Sequence, residues 1–223
     1  MGRALSLIAV AVLSLAGLSA WAQDKEPKDD EPKYPEVGST IPGPFNVLNV
    51  TGERKGRYHC LVCRNALNAV GAVYVRTKGD DESLKQLDVD QPLPKLLKKL
   101  DTLVEKNIDT NTGTFAIFLA PKDQEFAVLR KLEKMAADLE LKRLVLAVAN
   151  EPPEPEKPSL AELYKLPKDD EVFVLFYAYH RVTIKPLEFK KALTEEEANE
   201  VASTFQKLIP KLPVKKLKIP PPQ

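Results

Sequence analysis

Three runs of this chain are too uniformly apolar to leave one side facing water: residues 69–76 (AVGAVYVR), 114–120 (TFAIFLA) and 144–149 (LVLAVA). Strands of that kind lie inside a largely parallel sheet with helices on both faces. The segments between them have the right character. Residues 93–107 (LPKLLKKLDTLVEKN) place apolar side chains at 93, 96, 97, 100, 103 and 104, which is helical spacing. Residues 123–141 predict a second amphipathic helix, with Asp123 as N-cap and Phe126, Leu129, Leu132 and Met135 on its apolar side. Further on, residues 172–179 and 182–189 flank His180 and Arg181 and read as a β-hairpin. The last helix, 194–209, opens with Thr194 and Glu197, the Ser/Thr-x-x-Glu form of a capping box. A short strand at 45–50 precedes all of these. The order is therefore βαβαβ followed by ββα. It predicts an α/β domain with a central mixed sheet flanked by helices.

The ends of the chain read differently. Arg3, the apolar run 5–18 and the small residues of Ala20-Trp21-Ala22 have the three parts of a secretory signal peptide. The apolar run is short of the roughly 20 residues needed to span a bilayer. Residues 1–22 are thus expected to be cleaved, leaving an exported protein, periplasmic or extracellular, with no membrane span. Residues 23–38 are rich in Asp, Glu, Lys and Pro and read as a disordered charged linker. The domain follows at 39–211, and 212–223 is a Pro/Lys-rich tail. The chain carries 33 Lys and Arg against 32 Asp and Glu. That balance excludes a general nucleic-acid binder, which needs a basic surface.

The only cysteines are Cys60 and Cys63, three apart in a chain bound for an oxidising compartment. A disulfide between them is expected. Two readings of that pair stay open. In the first, Cys60 and Cys63 are catalytic residues of a thiol–disulfide exchange with a protein thiol or disulfide partner. Arg57, His59 and Arg64 then stabilise a thiolate, Cys60 attacks and Cys63 resolves. In the second, the pair is a structural clip in a non-catalytic protein-binding module. A ring this small restricts the unfolded chain little, which weakens the second reading. No cofactor or metal is expected. Haem attachment requires His after the second cysteine, where Arg64 stands, and a zinc ribbon requires a second cysteine pair. His180 reads as an exposed turn residue. The acidic groups 80–82 and 169–171 read as solvated loop charge. The sequence does not specify an oligomeric state.

Several segments carry a resemblance: Pro42-Gly43-Pro44-Phe45, the cysteine segment Cys60-Leu61-Val62-Cys63-Arg64, the run LLKKLDTLV at 96–104, Tyr164-Lys165-Leu166-Pro167, and Thr194-Glu195-Glu196-Glu197. Over about residues 37–212 the chain resembles secreted thioredoxin-like proteins of planctomycete-type bacteria, related to the redoxin and peroxiredoxin branch. The resemblance implies a thioredoxin-like fold, with the cysteine segment in an N-terminal extension. It also implies a Cys-x-x-Cys after the first central strand and a cis-proline before the hairpin. The chain departs on both points. Thr77-Lys78-Gly79-Asp80 occupies the first place and Asp169-Asp170-Glu171 the second, with Pro167 several residues early.

Overall fold

The computed structural model describes residues 35–151, 158–169 and 171–210. The expected signal segment, most of the charged linker and the Pro/Lys-rich tail lie outside these. Among the described residues the strands are β1 (Val47–Asn49), β2 (Tyr58–His59), β3 (Ala69–Arg76), β4 (Thr112–Ala120), β5 (Val145–Asn150), β6 (Val172–Ala178) and β7 (Arg181–Phe189). The helices are α1 (Leu61–Asn65), α2 (Asp81–Lys85), α3 (Pro92–Lys106), α4 (Glu125–Asp138), α5 (Leu160–Leu163) and α6 (Glu195–Leu208). All strands join one sheet in the order β2-β1-β5-β4-β3-β6-β7. Its centre is the predicted trio. β3 runs parallel to β4 from Ala69↔Thr112 to Arg76↔Leu119, and β4 parallel to β5 from Phe115↔Val145 to Ala120↔Asn150. β6 lies antiparallel on the other side of β3, and β7 antiparallel on β6. This is the βαβαβ–ββα succession of a thioredoxin-like fold, with β1, β2 and α1 added before it.

The sheet separates two cores. Val73, Val75, Ala116, Phe118, Leu146, Val174 and Phe176 face α3, α4 and α6. Val70, Ala72, Tyr74, Phe115, Ile117, Val145 and Leu175 face α1 and α5. Period-2 alternation along strands that are buried on both faces explains their unbroken apolar composition. Gly71 makes the first face tight, because a Cβ there would stand 2.7 Å from the Phe205 ring of α6.

Most helix predictions hold. α3 buries Leu93, Leu96, Leu97, Leu100 and Val104, and the Thr194–Glu197 capping box opens α6. The second helix differs. A 3-10 turn at Lys122–Gln124 delays α4 to Glu125, so Asp123 is not its cap. The buried face becomes Val128, Leu132 and Met135. Phe126, expected on that face, is 64% exposed, and the Arg130 guanidinium lies 4.5 Å from its ring centroid. The hairpin turn also falls one residue earlier than expected. Ala178 pairs with Arg181, so the turn residues are Tyr179 and His180, both at positive φ. Two-residue turns with that backbone match the twist of the strands they join.

Candidate functional site

The two cysteines are joined by a disulfide, with their Cα atoms 5.3 Å apart. Cys60 is the N-cap of α1, and its Sγ accepts the Cys63 backbone N–H at 3.0 Å. The two cysteines differ in access. α1 buries Leu61, Val62 and Asn65 against the sheet, which takes Cys60 in with them at 8% exposure and leaves Cys63 exposed. The sequence reading makes Cys60 the attacking thiol, because it stands beside His59. In the structure Cys63 is the outward residue. His59 belongs to β2, opposite Val47, and is half-buried.

The position of α1 depends on residues that the motif does not contain. Asn65 closes the helix by donating from Nδ2 to the Leu61 carbonyl at 2.8 Å. It is held against Gly113 at the start of β4, where a Cβ would stand 1.8 Å from its Oδ1. Ala66 then turns the chain at a φ of 44°, a region glycine usually takes. Arg64 reaches back over the β1–β2 loop, its Nη1 only 3.1 Å from where a Gly52 Cβ would be, beside Val145 at the start of β5. The disulfide-bearing helix therefore sits over the N-terminal ends of the parallel strands. A glycine inside an apolar strand signals close approach of another group, and Gly113 is such a signal in the sequence.

The place where the resemblance puts cysteines lies at the opposite, C-terminal ends. There Thr77, Asp80 and Ser83 form a self-satisfied turn. Asp80 caps α2 by accepting the Ser83 N–H at 2.8 Å, and that hydrogen bond holds its carboxyl below the usual range. The Thr77 hydroxyl accepts the Gly79 N–H at 3.1 Å and meets the Ser83 hydroxyl at the same distance. A cleft of about 390 Å³ opens beside this turn, lined among others by Arg76, Lys78, Glu151 and Asp169. Arg76 is pinned across it by Glu151 at 2.6 Å and by the Pro167 carbonyl. The acidic residues of 80–82 are thus helix-capping and surface charges. Asp169 and Glu171 line the cleft, and Asp170 lies outside the described residues. His180 is part of the hairpin turn. Its Nε2 is buried with no hydrogen-bond partner among the described residues.

Among the described residues no helix is long and apolar enough to cross a bilayer. No protein-family model matches the chain, and no curated protein matches it in sequence. Several solved structures overlap it. The thioredoxin domain of a thiol-disulfide oxidoreductase from Bacteroides vulgatus is 9% identical over 76% of this chain and 97% of that one, with a TM-score of 0.47. A thiol peroxidase from Chromobacterium violaceum is 10% identical over 78% and 88%, with a TM-score of 0.46. Arabidopsis thaliana ScoI with copper bound is 14% identical over 75% and 97%, with a TM-score of 0.45. The thioredoxin-like assignment rests on the strand order and register of the chain itself: a mixed α/β sheet protein with one Cys-x-x-Cys disulfide on an added N-terminal helix.

Proposed function

We propose that this is an exported thioredoxin-like protein whose Cys60–Cys63 disulfide exchanges with thiols of partner proteins. The observation that carries the reading is the asymmetry of the pair, an exposed Cys63 bonded to a buried, helix-capping Cys60. A partner thiolate attacks Cys63 Sγ, and the bond to Cys60 Sγ breaks. Cys60 leaves as a thiolate, with the Cys63 N–H already directed at it to support the charge. A second partner thiolate then attacks the partner sulfur of the mixed disulfide. This forms the partner's disulfide and releases Cys63 as a thiolate. Two partner thiols are oxidised and one protein disulfide is reduced, and the same path reversed reduces a partner disulfide. A structural clip explains the arrangement less well, because a bond within one helical turn constrains the unfolded chain little.

The reduction potential of the pair tests this. An exchanging pair lies between roughly −120 and −270 mV, whereas resistant structural bridges lie below about −300 mV. Cys60→Ser should trap a mixed disulfide at Cys63 while leaving the fold intact. A potential within the structural range, below about −300 mV, with no trapped partner, assigns the disulfide to a binding module instead. Export is part of the proposal and rests on the leader pattern of residues 1–22.

A further inference from the structure

We infer that the partner of the Cys60–Cys63 pair is an acidic protein segment, recognised by a cluster of arginines beside the disulfide. The inference rests on reading that pair as an exchanging one, and it names the chemistry of what docks there. The loop and strand leading into the disulfide helix read Thr51-Gly52-Glu53-Arg54-Lys55-Gly56-Arg57-Tyr58-His59, and Arg64 follows Cys63. The fold gathers these charges. The loop closes through Lys55 N–H to Gly52 carbonyl at 3.1 Å and Gly56 N–H to Asn49 carbonyl at 2.8 Å. Arg64 lies over the same loop at Gly52.

Only part of this charge is neutralised. Lys55 pairs with Glu133 at 2.9 Å. Arg54, Arg57 and Arg64 are exposed and form no ion pair among the described residues, and Glu53 is the one acid in the loop. Exposed arginines left unpaired in a chain of nearly balanced charge make a local positive field around the loop that leads into the disulfide helix, with Arg64 directly following the exposed Cys63. Such a field raises the local concentration of anionic groups and repels cationic ones. Arginine also presents a planar fork suited to carboxylates. Tyr58, 66% exposed within the cluster, offers a flat apolar contact. Together they suit a cysteine set among Asp and Glu on another protein.

The test is the rate at which synthetic cysteine peptides reduce the disulfide of the full mature chain. Three peptides of one length are compared, with acidic, neutral and basic flanks, and each rate is expressed per peptide thiolate. At about 0.01 M salt, where screening extends roughly 30 Å, the acidic peptide should react about tenfold faster than the neutral one, and the basic one more slowly still. At 1 M salt, with screening near 3 Å, the three rates should converge. The triple variant Arg54→Gln, Arg57→Gln, Arg64→Gln should bring the acidic-to-neutral ratio close to one, with an unchanged circular dichroism spectrum. Equal rates for the three peptides at low salt overturn the acidic-partner inference while exchange itself stands. No reaction with any peptide overturns the exchange reading as well, so the two failures are distinct.

Discussion

Replacing Gly113 with Ala puts a methyl group where the structure has room for none. Its Cβ would stand 1.8 Å from Asn65 Oδ1 and 2.8 Å from Asn65 Cγ, so the amide must leave its place. Moving it gives up the 2.8 Å bond to the Leu61 carbonyl that closes α1. Overpacking of this kind costs about 1–3 kcal/mol, and the lost hydrogen bond about 1 kcal/mol. Gly113→Ala should therefore destabilise the protein by about 2–4 kcal/mol. With a urea slope of about 2 kcal/mol/M, the unfolding midpoint falls by about 1–2 M. The only tryptophan, Trp21, lies in the segment proposed as a leader, so far-UV circular dichroism is the suitable signal. Since α1 and its N-cap hold the two cysteines, dithiothreitol should also reduce the variant's disulfide faster. Asn65→Ala alone should cost only about 1 kcal/mol, and the double variant should regain most of what Gly113→Ala loses. A Gly113→Ala protein as stable as the parent, or a double variant no better than the single one, would refute the account of how this helix is held.

Three further outcomes are expected. Asp101 is fully buried and accepts the backbone N–H groups of Lys142, Arg143 and Leu144 through Oδ1, at 3.0, 2.6 and 2.8 Å. Asp101→Ala leaves three donors unpaired and should cost about 3–5 kcal/mol by urea unfolding. Tyr74, Tyr164 and Tyr177 are buried together, and burial pushes all three phenols above their ordinary value of about 10. The unfolded chain then releases protons that the folded one keeps. Stability is constant below pH 10 in this respect and falls as pH rises beyond it; phenolate absorbance from these three should appear only with loss of the circular dichroism signal. Intact-mass measurement of exported protein should give a chain beginning at Gln23, and retention of Met1 would contradict the leader reading.

The central strands were legible because burial on both faces writes itself into composition: a run such as residues 69–76 has no alternative environment. α3 was legible from its spacing, and α6 from spacing plus the Thr194–Glu197 box. Short elements escaped. β2, α1, α2 and α5 span 2, 5, 5 and 4 residues, too few for a period to show. α5 nevertheless carries its own signal, a capping box between Ser159 and Glu162, just after the proline-rich loop. Phe126 misled because an apolar side chain at the start of a helix need not reach the core; its ring stays exposed, with the Arg130 guanidinium against it. In the site, the cysteine pair was plain from residue type and spacing alone. Which cysteine faces outward was not, because that depends on the packing of Leu61 and Val62 against the sheet. Nor could the sequence show that Asn65 and Gly113, 48 positions apart, meet.

The borders of the sheet have a consequence for behaviour in crowded surroundings. β7 is a nine-residue outer strand, long enough to template addition of a second chain. Its ladder to β6 is broken: between Val174↔Leu187 and Phe176↔Ile184 the outer strand holds one residue too many, at Lys185-Pro186. Proline offers no N–H to a newcomer, and a bulge twists the edge out of line. The first part of β7 is already occupied, by Gly38 N–H on the Val182 carbonyl and Val182 N–H on the Ser39 carbonyl. At the far border β2 has only two residues. Both borders are thus poor seeds for intermolecular β-addition. With one short disulfide in the sequence, it is the form of these two borders, rather than cross-linking, that discourages extension of the sheet by another chain.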